Sequence, residues 1–135
     1  MTSEHPYADR FLGEFRELEH GSPDGPSLVA FVRREGDPHE EDLVRYLRAG
    51  TVIAASGSAV YDFLSPTNEF IDGLRLLTDG EWFWYTDLAH YVERYHVLID
   101  DRFVEHARCR EWTPPQLSDT ELERIADAFF LEDEA

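Results

Sequence analysis

Six histidines, one cysteine and 29 acidic side chains are the residues of this 135-residue chain with metal-binding or catalytic chemistry. His90, Glu93 and His96 lie close in sequence. His90 and Glu93, three apart, would share a helix face, but His96 falls on another side of the wheel, so the three do not converge on one ion. His106 and Cys109 are also three apart, and no second ligand pair completes a tetrahedral zinc site. The pattern predicts no metal centre, only solvated or capping histidines and a buried thiol. As a nucleophile and base, Cys109 and His106 would be local neighbours on one helical turn and not an organised cleft. Ser56 and Ser58 flank Gly57, whereas a hydrolase elbow places its serine between two glycines. Gly57 and Gly73 are isolated, so the chain has no phosphate-cradling loop. With 29 acids, no carboxylate pair stands out for glycosidase-like work. The expectation is a protein without a cofactor and without catalytic machinery.

An interaction surface is the remaining constellation. Asp79, Glu81, Trp84 and Asp87 cluster around one hairpin and the start of the helix after it. Asp100, Asp101 and Glu105 form a second acidic group nearby in sequence. Aromatic side chains are enriched in binding hot spots, and acidic rims steer basic partners. These seven residues are the candidate partner-binding set. The competing reading makes Trp82 and Trp84 core and the acids a solvated edge.

Charge points the same way. Twelve basic residues, all arginine, oppose 29 acidic ones, for a net charge of −17. The acidity is spread along the whole chain, not gathered in a tail. Phosphate backbones and anionic membranes would be repelled, while a basic protein surface would be drawn in faster. No segment approaches the ~20 apolar residues of a membrane span. Met1 to Arg10 is polar and acidic where a signal peptide would be apolar, and a single cysteine rules out an internal disulfide. The expected location is the cytoplasm.

The elements that would position these residues are legible in outline. Tyr7, Phe11, Phe15 and Leu18 recur at helical spacing, which predicts a helix from about Pro6 to Glu19, followed by a loop from Gly21 to Pro26. Leu28 to Arg34 is short and apolar; Ser27 as a cap and Gly36 as a stop favour a helix there. Asp37, Pro38 and Glu40 predict a capping box for a helix burying Leu43, Val44 and Leu47, stopped by Gly50. Thr51 to Ser56 reads as a strand. Asp79-Gly80 between apolar runs predicts a type I′ hairpin over 74–85, pairing Leu77 with Trp82 and Leu76 with Phe83. In that register Arg75 lies over Trp84, and both sheet faces are covered. Thr86 would cap a helix burying Leu88, Tyr91, Val92 and Tyr95. A short helix from about Asp101 to Arg110 ends before Pro114-Pro115. Ser118 to Glu121 is a capping box for a last helix burying Leu122, Ile125, Ala126 and Phe129, with Glu132 to Ala135 fraying. The sum is one α+β domain over 1–135: a small antiparallel sheet of three or four strands, with a central hairpin at 74–85, against four to six helices.

The stretches Tyr46-Leu47-Arg48-Ala49-Gly50, Leu76-Leu77-Thr78-Asp79-Gly80-Glu81-Trp82-Phe83-Trp84 and Leu88-Ala89-His90-Tyr91-Val92 carry a resemblance. Over about residues 43–107 the chain resembles small uncharacterised bacterial proteins and, more loosely, immunity proteins of polymorphic toxin systems. Tyr85 departs from the proline expected after the second tryptophan. The resemblance implies an inhibitor that binds a toxin, often a basic nuclease, and blocks its active site. It assigns no site residues. Two other classes remain open: a small enzyme with a carboxylate or histidine site in an aromatic pocket, and a DNA mimic acting on a DNA-binding protein.

Overall fold

The computed structural model describes residues 8–130. A 3₁₀ turn at Ala8–Arg10 precedes α1 (Leu28–Phe31), α2 (Glu40–Arg48), β1 (Thr51–Tyr61), β2 (Phe70–Thr78), β3 (Phe83–Tyr85), α3 (Leu88–Tyr95), α4 (Asp101–Cys109) and α5 (Asp119–Phe130). The strands form one antiparallel sheet in the order β1-β2-β3, so the α+β class and the covered sheet faces are as the sequence implies. Leu77 and Trp84 point into a core shared with α2, α3 and α4. Leu76 and Phe83 point the other way, against Ile125 and Phe129 of α5.

The hairpin register differs from the expected one by two residues. Leu77 pairs with Trp84 and Thr78 with Phe83, leaving residues 79–82 as a four-residue loop. The Asp79 carboxylate holds that loop closed, accepting from the N–H groups of Glu81 (3.0 Å) and Trp82 (2.8 Å). The Thr78 hydroxyl donates to the Trp82 carbonyl at 2.8 Å. These side-chain bonds take the place of a two-residue turn. Because side chains alternate with period two, an even shift leaves each residue on its expected face. Arg75, however, no longer lies over Trp84; it pairs with Asp72 at 2.7 Å. Trp84 instead donates from Nε1 to the Leu47 carbonyl (2.9 Å), with Gly50 so close that a Cβ there would fall 2.6 Å from the ring.

The first helix expected from Pro6 to Glu19 does not form within the described residues; Pro6 and Tyr7 lie outside them. Gly13 has φ +76°, a left-handed conformation that ends any helix. The segment runs extended along the free edge of β3: Phe11 bridges Phe83, and the Leu12 N–H donates to the Phe83 carbonyl at 2.8 Å. Phe11 then packs in the α5 core, and Leu12 and Phe15 in the other. Their spacing suited a helix by coincidence.

Other ends also differ. α1 is a single turn closed at Val32, not at Gly36. Its N-terminus is capped from Glu17, which accepts from the Leu28 N–H (2.7 Å) and from the Ser27 hydroxyl (2.5 Å). At α2 the N-cap is His39; Asp37 pairs with Arg33, and Glu40 meets His96 Nδ1 at 2.8 Å. Thr86 does not cap α3; its hydroxyl donates to the Gly73 carbonyl and extends the sheet. α4, by contrast, runs as expected, from Asp101 to Cys109 with Arg110 as its C-cap, and Glu111 and Trp112 follow with φ near +54° and +59°. The α5 capping box is present: Ser118 Oγ accepts from the Glu121 N–H and Glu121 from the Ser118 N–H, both at 3.1 Å. Glu132 to Ala135 lie outside the described residues.

Candidate functional site

The structure separates the seven expected partner-binding residues. Trp84 is 0% exposed, and Asp79 is likewise fully buried, so neither has surface to offer a partner. Burial follows from their work in the core: Trp84 fills the space between α2 and the sheet, and Asp79 is a hub. Its four acceptor sites take the Tyr46 hydroxyl (2.6 Å), His106 Nε2 (2.8 Å) and the two loop N–H groups. The one carboxylate thereby ties the hairpin loop to α2 and α4. Burial and Asp79 push the Tyr46 phenol far above its usual range, which keeps it neutral and donating.

Glu81, Asp100 and Glu105 are charge-compensated on the spot. Glu81 pairs with Arg110. Asp100 caps α4 and holds Arg102, whose guanidinium lies 5.5 Å above Trp82. Glu105 pairs with Arg108 at 3.2 Å. Asp101 is exposed. Glu81, Asp100 and Glu105 therefore stand on α4 and the hairpin loop as ion pairs with arginines and not as a bare acidic rim.

Two histidines cap helices, the exposed His39 at the start of α2 and His96 at the end of α3, while four are bound to carboxylates. His106 is bound to Asp79, His96 to Glu40, His90 to Asp62 (2.7 Å) and His20 to Asp87 (2.6 Å). Cys109 is exposed, not the buried thiol expected, and its thiol donates to Glu105 at 3.5 Å. Among the described residues, no three ligating side chains group to hold a metal ion, and no helix is long and apolar enough to cross a membrane.

Asp62 organises what the sequence did not reveal. It is fully buried and accepts from His90 Nε2, the Tyr95 hydroxyl (2.8 Å) and the Leu64 N–H (2.8 Å). Burial alone would raise its pKa; the bonds from His90 and Tyr95 outweigh it and hold the carboxyl below its usual range. Tyr91 adds a second tie, accepting from the Phe63 N–H at 2.9 Å. These bonds pin the loop of residues 62–69 onto α3. Three aromatic rings are displayed at this end of the β1–β2 hairpin: Phe63 on the pinned loop and Tyr61 and Phe70 on the strands flanking it, exposed by 51, 48 and 59%. Tyr61 and Phe70 are cross-strand partners with ring centres 5.9 Å apart. Local spacing gave no signal of this, since His90 and Tyr95 reach Asp62 from 28 and 33 residues away. The one trace was an aspartate inside the apolar run from Val60 to Leu64.

A cleft of about 420 Å³ adjoins Tyr61 and Phe63, and Glu17, Glu19, His20 and Asp87 contribute to its lining. Asp87 is thus the one member of the expected set that the fold brings beside the aromatic end, although it is nearly buried there. Compared with protein-family models, curated proteins and solved structures, the chain matches none.

Proposed function

We propose that this protein is an acidic binding module of the immunity or inhibitor type, whose partner is a basic toxin or another basic protein. The observation that carries the reading is the aromatic end of the β1–β2 hairpin. Tyr61 and Phe70 stand exposed at the strand ends and Phe63 on the loop between them, which Asp62 locks from beneath. Exposed aromatics on a rigid support are the makings of a binding hot spot, because little conformational freedom is lost on contact. The net charge of −17 supplies the attraction, speeding encounter with a basic surface and repelling nucleic acid. On this reading the contact surface lies away from Trp84.

The test is parallel capture with the wild-type protein and a Phe63→Ser, Phe70→Ser variant, at low and high salt, with identification of what is retained. We expect one basic protein to be held by the wild type at low salt, to be released by salt, and to be lost with the variant. Co-expression should also relieve any toxicity of that protein. Retention indifferent to the two phenylalanines, or no basic protein retained, would overturn the reading.

A further inference from the structure

We propose that the cavity where α2, α3 and α4 meet is a binding site for a small, uncharged aromatic molecule. It shares no residue with the aromatic end of the β1–β2 hairpin, so the two surfaces stand or fall separately. The cavity measures about 290 Å³. A dry cavity of about 150 Å³ lined by aliphatic and aromatic side chains is enough to hold benzene. Here Leu43 of α2, Val104 of α4, and Val97 and Ile99 of the link between α3 and α4 supply an aliphatic lining.

One wall is aromatic, and its backbone is strained. Trp112 lies against His39, with ring centres 5.6 Å apart and planes 28° from parallel. The end of α4 puts the tryptophan there. The Glu111 N–H donates to the Arg108 carbonyl (2.8 Å) and the Trp112 N–H to the Ala107 carbonyl (3.0 Å), the two bonds of a Schellman motif. That motif asks for one left-handed residue, usually glycine, at the position Glu111 holds. Glu111 adopts it with φ +54°, and Trp112 follows with φ +59°. Two successive left-handed residues with side chains are unfavourable, and strain of this kind gathers at ligand clamps. The second of them carries the ring that walls the cavity.

Charge decides the kind of molecule. Of the charged groups in the lining, Arg33 pairs with Asp37 (3.4 Å), Glu40 with His96 (2.8 Å) and Arg108 with Glu105 (3.2 Å), and Asp101 is exposed to solvent. An ionic ligand would have to break one of these pairs or stay unmatched. The net charge of −17 also turns anions away. A neutral ring meets the aliphatic lining and the Trp112 indole by apolar contact and disturbs none of the pairs.

The experiment titrates the intact protein with indole, read from the methyl resonances of Val97, Ile99 and Val104 and the Nε1–H resonance of Trp112. Indole-3-acetate is the charged counterpart, and N-acetyl-tryptophan-methylamide carries the same ring on a peptide unit. We expect saturable shifts with indole, centred on those groups, and binding weaker by about tenfold or more for both comparison probes. Val104→Phe, which fills the cavity from inside, should abolish the shifts while the Trp112 resonance stays dispersed. Trp112→Phe keeps a ring in the wall and should retain binding that Trp112→Ala loses. Indole shifts that fail to saturate, shifts that survive Val104→Phe, or equal binding of indole-3-acetate would overturn the proposal. Equal binding of the blocked tryptophan would overturn it too, by assigning the cavity to a ring carried on another chain.

Discussion

At the scale of single residues, the unusual feature is the pairing of histidines with sequestered aspartates. Asp62 shows what such a pair does for stability. Its carboxyl is held below the ordinary value of about 3.9, so the unfolded chain takes up its proton first. Its contribution is therefore fully present above that value and is lost as pH falls through the lower, folded one. In acid titration followed by circular dichroism, Asp62→Asn should remove part of the steep loss of stability below about pH 4. At neutral pH the same variant should be less stable by about 1.5–3 kcal/mol, the worth of hydrogen bonds to a charged group. An unchanged acid limb would mean that Asp62 is not a driver of acid unfolding.

At the scale of elements, α5 is held by a short-range device and can be tested as one. Ser118→Ala should cost about 1 kcal/mol by removing half of the capping box. The loss should appear as faster amide exchange in the first turn of α5, with the central sheet unaffected; equal acceleration in both would show that α5 does not open on its own. The same contrast explains what could be read in advance. The box at Ser118 and Glu121 was legible because both partners lie within one turn. The buried stripes of α2 and α3 were legible because burial follows helical period. The segment up to Glu19 misled because Gly13 breaks it and β3 offered an edge to pair with. The hairpin register misled because the Asp79 side chain substitutes for a tight turn. The candidate site was the least legible part. Asp87 and Tyr61 become neighbours of one cleft only through the sheet, and Glu81 finds Arg110 only once α4 has packed, whereas Asp100–Arg102 and Glu105–Arg108 are local pairs of α4 itself.

At the scale of the whole molecule, the charge of −17 repels itself in the compact state. Added salt screens that repulsion, with a Debye length of about 8 Å at physiological ionic strength. The melting temperature should therefore rise as sodium chloride increases from low levels, despite the weakening of half-exposed pairs such as Arg48–Glu93, which are individually worth about 0–1 kcal/mol. A melting temperature that fell with salt would mean that local pairs outweigh the global field.

The sheet has two lateral edges, and they are treated differently. The strap at Phe11 and Leu12 occupies the one at β3. The one at β1 has no strand beside it among the described residues, yet its pairing with β2 shifts register three times, and it carries Ser56-Gly57-Ser58 at its middle. A strand bent by bulges gives an incoming chain no straight ladder to copy. The irregularity of β1 therefore acts as a safeguard against fibrous self-assembly, and a protein that displays three bare aromatic rings on the same hairpin has particular need of one.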